Sequence, residues 1–469
     1  MTPRLTPLAR RVVEIVAARG GRAIVVGGAV RDALLGLDSK DLDLEIYGME
    51  AAALEQELLA AGIKVNAVGR SFGVFKVGDA DEGTVDLSLP RRDSRRGRGH
   101  RGFVVTPDPR MSFAEAASRR DFTINAMGYD PLRGVWLDPW GGREDLRAGR
   151  LRHVGPAFVE DPLRVLRGFQ LAARFDLEVD PATVELCRSM RDEAGTLAAE
   201  RIWVEWAKWA ERSERPSRGL EFLRLCGWIQ LYPELEALVD CPQDPQWHPE
   251  GDVWVHTLLT CDAAVAVARR EALRAEERLV LVLAALVHDL GKPETTTIDG
   301  TRVRSRGHGE AVATFETFLG RIDAPRRLRR RVIILCRRHL DHLGFQGSRR
   351  AVRRLSRALA EEGESIEALV RLIEADHSAR PPLPGGCPPS AREMLEVARA
   401  IEVTRAAPRP LLMGRHLVAL GLEPGPEIGR WVEAAYQAQM DEAFDDLDGA
   451  LAWIRRRIES GAGPEGGGG

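Results

Sequence analysis

Cysteine is sparse in this chain, and the six that occur in 469 residues never form a C-x-x-C pair. Cys187, Cys226, Cys241, Cys261, Cys336 and Cys387 are widely scattered, which argues against a disulfide framework or a thiolate zinc site and fits a reducing cytoplasm. Long apolar runs are missing too. The longest, such as Leu279 to Val287, fall far short of the roughly 20 residues that a membrane-spanning helix needs, so no membrane partner is expected. The N-terminal MTPRLTPLARRVVEIVAARG has the pattern of an amphipathic helix and no apolar secretory core. A net charge of -3 excludes a uniformly basic nucleic-acid binder. What remains, 44% hydrophobic and 29% charged residues, is the composition of a globular protein whose length implies two to four domains.

The basic residues are almost all arginine, and many are gathered into two runs, PRRDSRRGRGHRG (Pro90 to Gly102) and RIDAPRRLRRRVIILCRRH (Arg321 to His339). Guanidinium forks match phosphate oxygens, so each run is a candidate RNA contact; a solvated helix face explains each equally well. Residues 1–150 alternate short strand-like runs with helical stretches. Ala23–Val26 (AIVV) leads into Gly27-Gly28 and a helix-like AVRDALLGL; DLDLEIYG alternates strictly; GVFKV (Gly73–Val77) and TVDLSL (Thr84–Leu89) predict further strands. From about residue 155 strand signals stop, and segments such as DPLRVLRGFQLAARF and ERIWVEWAKWAE carry the helical period. Proline-rich breaks at Cys241–Asp252 and Arg380–Ser390 separate further helical parts, and GAGPEGGGG closes the chain as a disordered tail.

In KDLDLEIYG, side chains alternate along the strand, so Asp41, Asp43 and Glu45 share one face and Leu42, Leu44 and Ile46 the other. Two carboxylates spaced i, i+2 can hold a pair of divalent ions about 3.5–4 Å apart, which clamp the attacking and leaving oxygens of a phosphoryl transfer. Oxygen ligands suit Mg2+, and Asp86 on a neighbouring strand would complete the set. The Gly27-Gly28 turn before a helix start offers backbone N–H groups to a triphosphate, with Arg31 adding charge; a tight turn is the simpler explanation of the two glycines alone.

The string GGAVRDALLGLDSKDLDLE resembles the head motif of the class II tRNA nucleotidyltransferase (CCA-adding enzyme) and bacterial poly(A) polymerase family, within the DNA polymerase β superfamily. Three more strings follow in family order: SRRDFTINAM (Ser118–Met127), LDPWGGREDLRAGRLRHVG (Leu137–Gly155) and EDPLRVLRGFQLAARF (Glu160–Phe175). The resemblance implies a multidomain α+β protein: a small α/β nucleotidyltransferase head of the DNA polymerase β type, then an all-α neck, HD domain and C-terminal helices. It implies that Asp41 and Asp43 bind metal beside catalytic Asp86, and that Gly28, Arg31 and Arg120 hold triphosphate and ribose, with Asp121 fixing the RRD turn. Asp161 and Arg164 would read the base edge, with Arg167 on the same helix face. Gln170 departs from members that carry arginine there and is not counted as a ligand.

Most of the histidines fall between His248 and His377. His288-Asp289 ends the apolar LAALVHDLGK, with His256 upstream and Asp376 downstream; this H…HD…D order resembles the HD phosphohydrolase superfamily. Its ligand set suits a divalent ion such as Mn2+, Ni2+, Fe2+ or Mg2+ that activates water. His308 and His339 are candidates for a second metal position, with His342 competing for the latter. Lys292 is either a phosphate contact or a surface lysine at a helix end.

The expected organisation is a head over 1–150, a neck over 151–240 for nucleotide selection and RNA binding, an HD metal-binding domain over 241–380, C-terminal helices over 381–460 and the tail 461–469. The expected activity is untemplated addition of CMP and AMP to the tRNA 3′ end from CTP and ATP, with a phosphodiesterase or phosphatase in the HD domain. The neighbouring alternatives are an A-adding or CC-adding enzyme or a poly(A) polymerase. The alternative of another class is an HD phosphohydrolase with a nucleotide-sensing head.

Overall fold

The apolar segments of the first 150 residues are short and alternate with polar positions, and they build one sheet. The computed structural model describes residues 2–38, 42–66, 74–79, 83–95, 103–300, 302–460 and 462–463. It divides into two compact units, Met1–Tyr232 and Pro233–Gly469. The first unit contains β1 (Arg22–Val26), β2 (Asp43–Tyr47), β3 (Val65–Asn66), β4 (Val74–Asp79), β5 (Gly83–Ser88), β6 (Arg91–Arg95), β7 (Phe103–Pro107), β8 (Gly128–Asp130) and β9 (Val135–Leu137). Seven of them form a sheet in the order β3-β4-β5-β2-β1-β8-β9, while β6 and β7 make a separate hairpin. Every neighbouring pair of the sheet is antiparallel except β2 and β5. Asp41, Gly73 and the end of the tail lie outside the described residues.

One face of this sheet is covered by the helices Pro7–Ala18 and Ala51–Ala60. Leu8, Val12, Val16, Leu54 and Leu58 pack there with Leu44, Ile46, Val77 and Leu87. Burying each such side chain contributes about 1.5–3 kcal/mol, which pins the register and so the opposite, polar face.

Helices follow: Leu163–Phe175, Pro181–Ser189, Ala199–Arg212 and Pro216–Leu225. Phe169 is enclosed by Trp206 and Trp209, with ring centroids 4.6 and 5.4 Å away. A Cβ added to Gly219 would lie 2.5 Å from the Phe169 carbonyl oxygen, so this helix crossing requires glycine.

Strands do not stop at residue 155, which corrects the expectation of purely helical structure beyond it. Arg150–Leu151 pairs in parallel with Glu178–Val179. In the second unit Thr296–Asp299 and Arg302–Ser305 form an antiparallel hairpin. Its sequence, TTIDGTRVRS, has β-branched residues flanking an Asp-Gly turn, the short-range hairpin signal.

The remainder of the second unit is helical. Ala275–Val287, buried from Leu279 onward, contacts the helices Val253–Arg270, Arg326–Arg338 and Ile366–Ser378. A smaller core of Leu417, Trp431, Ala435 and Ile454 unites the last three helices, Gly414–Ala419, Pro426–Met440 and Leu447–Glu459. All six cysteines are free thiols. No helix among the described residues is long and apolar enough to cross a membrane.

Candidate active site and metal centre

Burying Leu44 and Ile46 turns Asp43 and Glu45 to the other face of β2. The parallel register sets Asp86 opposite Asp43 and Ser88 opposite Glu45. Beside Asp43 the chain turns at Gly27, whose φ of +72 belongs to glycine. A Cβ there would approach Asp43 Oδ2 at 3.4 Å and Arg120 Nη1 at 3.6 Å. Glu45 is buried and committed elsewhere: Tyr47 donates to it at 2.6 Å and Arg120 at 3.4 Å. It therefore holds Arg120 beside the Gly27 turn.

Gly28, Arg31, Asp43, Arg120, Asp121, Asp161, Arg164 and Arg167 all line one cleft of about 990 Å³. Asp86 is not among its lining residues. Within it, Arg31 is buried against the Phe175 ring and donates to Asp32 and Asn125, so it braces the helix Gly28–Leu34 from below. Asp121 accepts from Phe122 N at 2.7 Å, Asn125 Nδ2 at 3.1 Å and Arg167 Nε at 2.6 Å. Burial alone would raise its pKa, but Arg167 and these hydrogen bonds hold it at about 2. Asp161 accepts from Leu163 N at 3.1 Å and from Arg201 Nη2 at 2.8 Å. Arg164 donates to the carbonyls of Ala157 at 2.6 Å and Arg119 at 2.7 Å. Each of these two side chains is thus anchored with polar capacity left over. Gln170 also faces the cleft, and its buried Oε1 has no hydrogen-bond partner.

In the second unit, His256, His288 and Asp289 bring ligand atoms within 4.8 Å of one another, and so do Asp289, His308 and His339. His256 Nε2 lies 3.1 Å from Asp376 Oδ1 and 3.7 Å from Asp289 Oδ2. Nδ1 of His288, His308 and His339 each faces the carbonyl three residues back, of Ala285, Ser305 and Cys336. A carbonyl only accepts, so those nitrogens carry the hydrogen and the Nε2 lone pairs point inward.

The inward nitrogens of His288, His308 and His339 meet few hydrogen-bond partners. His308 and His339 face each other Nε2 to Nε2 at 3.2 Å. Nε2 of His288 is buried without a hydrogen-bond partner, although Asp289 Oδ2 is 3.2 Å away. Burial and the neighbouring His288 and His308 push His339 down to about 3. Imidazole nitrogens converging on carboxylates held well below the usual range fit a divalent cation. Despite its burial, His256 is raised to about 9 by Asp376 and Glu250, so a cation bound at its Nε2 would displace a proton.

Lys292 is buried, 2.7 Å from Asp289 Oδ2 and 2.7 Å from Gln243 Oε1, and is not a surface lysine. It lines a cavity of about 590 Å³ with Asp289, His308, His339, His342 and Arg380.

The profile of the Poly A polymerase head domain matches residues 23–152, and that of the HD domain residues 253–381. A multifunctional CCA protein of Xanthomonas oryzae pv. oryzae is 36% identical over 428 residues, which cover 89% of this chain and 98% of the relative. The chain belongs to the multifunctional CCA protein family. A member from Neisseria gonorrhoeae is 39% identical over 322 residues, 67% of this chain and 73% of its own. Among solved structures, a CCA-adding enzyme of Bacillus stearothermophilus in complex with CTP superposes with a TM-score of 0.63 at 18% identity, covering 97% of this chain and 100% of the other. A Thermotoga maritima CCA-adding enzyme complexed with tRNA gives 0.58 at 18% identity, with 96% and 97% covered. At such identity the likeness is one of fold.

Three features escaped the sequence reading. Arg201, which pairs with Asp161 from 40 residues away, had no local signal. His248 and Glu250 form a third group with His256; they stand in WHPEGDVWVH, a proline-rich segment read as a joint. The arginines of Arg326–Arg338 are mostly neutralised within the unit. Arg329 pairs with Glu316, Arg330 with Glu362, Arg331 with Glu364, Arg337 with Glu310 and Arg338 with Asp341. That run reads as a paired helix face and not as an open phosphate contact. Of the other run, residues 96–102 lie outside the described residues, and Arg92 pairs with Asp108.

Proposed function

We propose that this protein completes tRNA by adding CMP and AMP to its 3′ end, building CCA from CTP and ATP without a template. The observation that supports this most is the β2–β5 register: it brings Asp86 opposite Asp43, beside an arginine-lined cleft that also holds Asp161 and Arg164. Divalent ions, for which we propose Mg2+, would be held by Asp41 and Asp43 with Asp86, and would supply activation of the terminal 3′-hydroxyl and charge neutralisation on the departing pyrophosphate. Arg120, steadied by Glu45, and the N–H groups at Gly28 hold the triphosphate. Arg31 stiffens that turn, and the Asp121–Arg167 pair ties it to the helix that reads the base.

Base choice follows from donor and acceptor order. Cytosine and adenine each present an amino donor beside a ring-nitrogen acceptor. Asp161 accepts from the amino group, and Arg164 donates to the ring nitrogen. Uracil and guanine present the reverse order and would set carbonyl against carboxylate. The acceptor stem is held through shape and phosphate contacts, with little reading of its sequence.

The second unit is proposed to be a metal-dependent phosphoester hydrolase. Its ion (Mn2+, Ni2+, Fe2+ or Mg2+) would be held by His256, His288, Asp289 and Asp376, with His308 and His339 at a second position. Boundaries near residues 150, 240 and 380, and a cytoplasmic location, belong to the same proposal. Purified protein given Mg2+ and tRNA transcripts ending before C74, at CC, or complete tests it. Addition of CCA followed by arrest is expected. Long A tails, or extension of only one intermediate, would replace it with a poly(A) polymerase or a partial adder.

A further inference from the structure

His256 is oriented differently from the other imidazoles of the metal centre. It lies in the first turns of the helix Val253–Arg270, and the carbonyl three residues back, that of Val253, already accepts from Thr257 Oγ1 at 2.8 Å. Its Nδ1 instead faces Oε1 of Glu250 at 2.7 Å, while Nε2 faces Asp376. Glu250 Oε1 also takes Nδ1 of His248 at 2.9 Å, and the His248 and His256 rings pack edge to face with centroids 4.8 Å apart. The Glu250 side chain is 1% exposed, and its other oxygen, Oε2, is buried with no hydrogen-bond partner. A buried carboxylate with an idle oxygen is a costly way to brace a loop, and glutamine would brace it without the charge.

An ionised carboxylate can only accept. Nδ1 of His256 therefore keeps its hydrogen on Glu250, whereas Nε2 faces the carboxylates of Asp376 and Asp289, where a bound cation would take the place of a proton. We propose that Glu250 is a positioning residue for the metal centre. It fixes the tautomer and plane of His256 and sets a negative charge behind that ligand, and His248 holds Glu250 in place. This rests on the reading of His256, His288, Asp289 and Asp376 as metal ligands. The other three imidazoles are backed by neutral carbonyls, so Glu250 makes His256 the strongest nitrogen donor of the set.

The test is a Co2+ titration of the full-length protein after chelator stripping, followed by visible d–d absorption. E250Q keeps an acceptor and loses the charge, and it should bind Co2+ about 10–100-fold more weakly than the wild-type protein. E250A releases the ring and should also shift the absorption bands. Metal-free E250Q should unfold at the temperature of the metal-free wild-type protein, which separates positioning from structural support. If E250Q does not fold, H248Q, which removes only the brace on Glu250, should show a smaller loss of the same kind. Wild-type affinity and bands in both Glu250 variants would overturn the proposal. D376N removes a ligand outright; if the wild-type protein gives no band and D376N titrates identically, the metal reading itself fails and the role of Glu250 with it.

Discussion

Replacing Arg167 with methionine tests whether the RRD turn and the helix Leu163–Phe175 are clasped by charge. In the native protein Arg167 Nε donates to the buried Asp121 carboxylate at 2.6 Å. The fall of that carboxylate from 3.8 to about 2 corresponds to roughly 2 kcal/mol at neutral pH. Arg167 is 38% exposed, so water screens part of the interaction, and the donors Phe122 N and Asn125 Nδ2 remain in R167M. The expected loss is therefore about 1–2 kcal/mol, or about 2–4 °C in Tm for each kcal/mol in a unit of this size.

The sign with pH follows from the lowered pKa. The stabilisation is complete above the ordinary value of 3.8 and is lost as pH falls through about 2. The gap between the wild-type protein and R167M should be widest near neutrality and narrow in acid. Urea melts monitored by tryptophan fluorescence at pH 7 and at acid pH measure it. A loss under about 0.5 kcal/mol at pH 7, the size expected of a neutral surface change, would refute the clasp. So would a gap that does not narrow in acid.

Three further outcomes are expected. D86N should lower nucleotide incorporation into tRNA by on the order of 100-fold or more, with tRNA affinity by filter binding little changed; near-native incorporation would remove Asp86 from the transfer site. Excess Mn2+ should raise the melting temperature of chelator-stripped protein, by about 2.7 kcal/mol of stability at 100 times the Kd, and D376N should abolish that gain; an equal gain in D376N would place the ion elsewhere. G219A should destabilise the first unit by about 1–3 kcal/mol in urea, because its Cβ meets the Phe169 carbonyl; a neutral result would mean the helices can separate there at little cost.

Much of the fold was legible because its signals are short-range. Strict alternation in DLEIY and the helical period of LRVLRGFQLAARF both mark elements that the structure contains. The hairpin TTIDGTRVRS was equally legible and was overlooked because the segments around it are helical. Other features depend on tertiary encounters that leave no trace in spacing. No sequence distance announces that Arg201 meets Asp161, or that Arg330 and Arg331 find Glu362 and Glu364 in the turn between two later helices. Glu250 was hidden for a related reason. Set among prolines and glycine, it looks solvated, yet His248 and His256 enclose it.

The single parallel pairing in an otherwise antiparallel sheet has a consequence for biosynthesis. Asp43 and Asp86 become neighbours only after the chain has run out through the helix Ala51–Ala60, formed β3 and β4, and returned to lay β5 beside β2. A nascent chain arrested before β5 emerges from the ribosome carries one half of this carboxylate pair and not the other. Such an early truncated product has the first strands of the head without the paired carboxylates on which the proposed transfer depends.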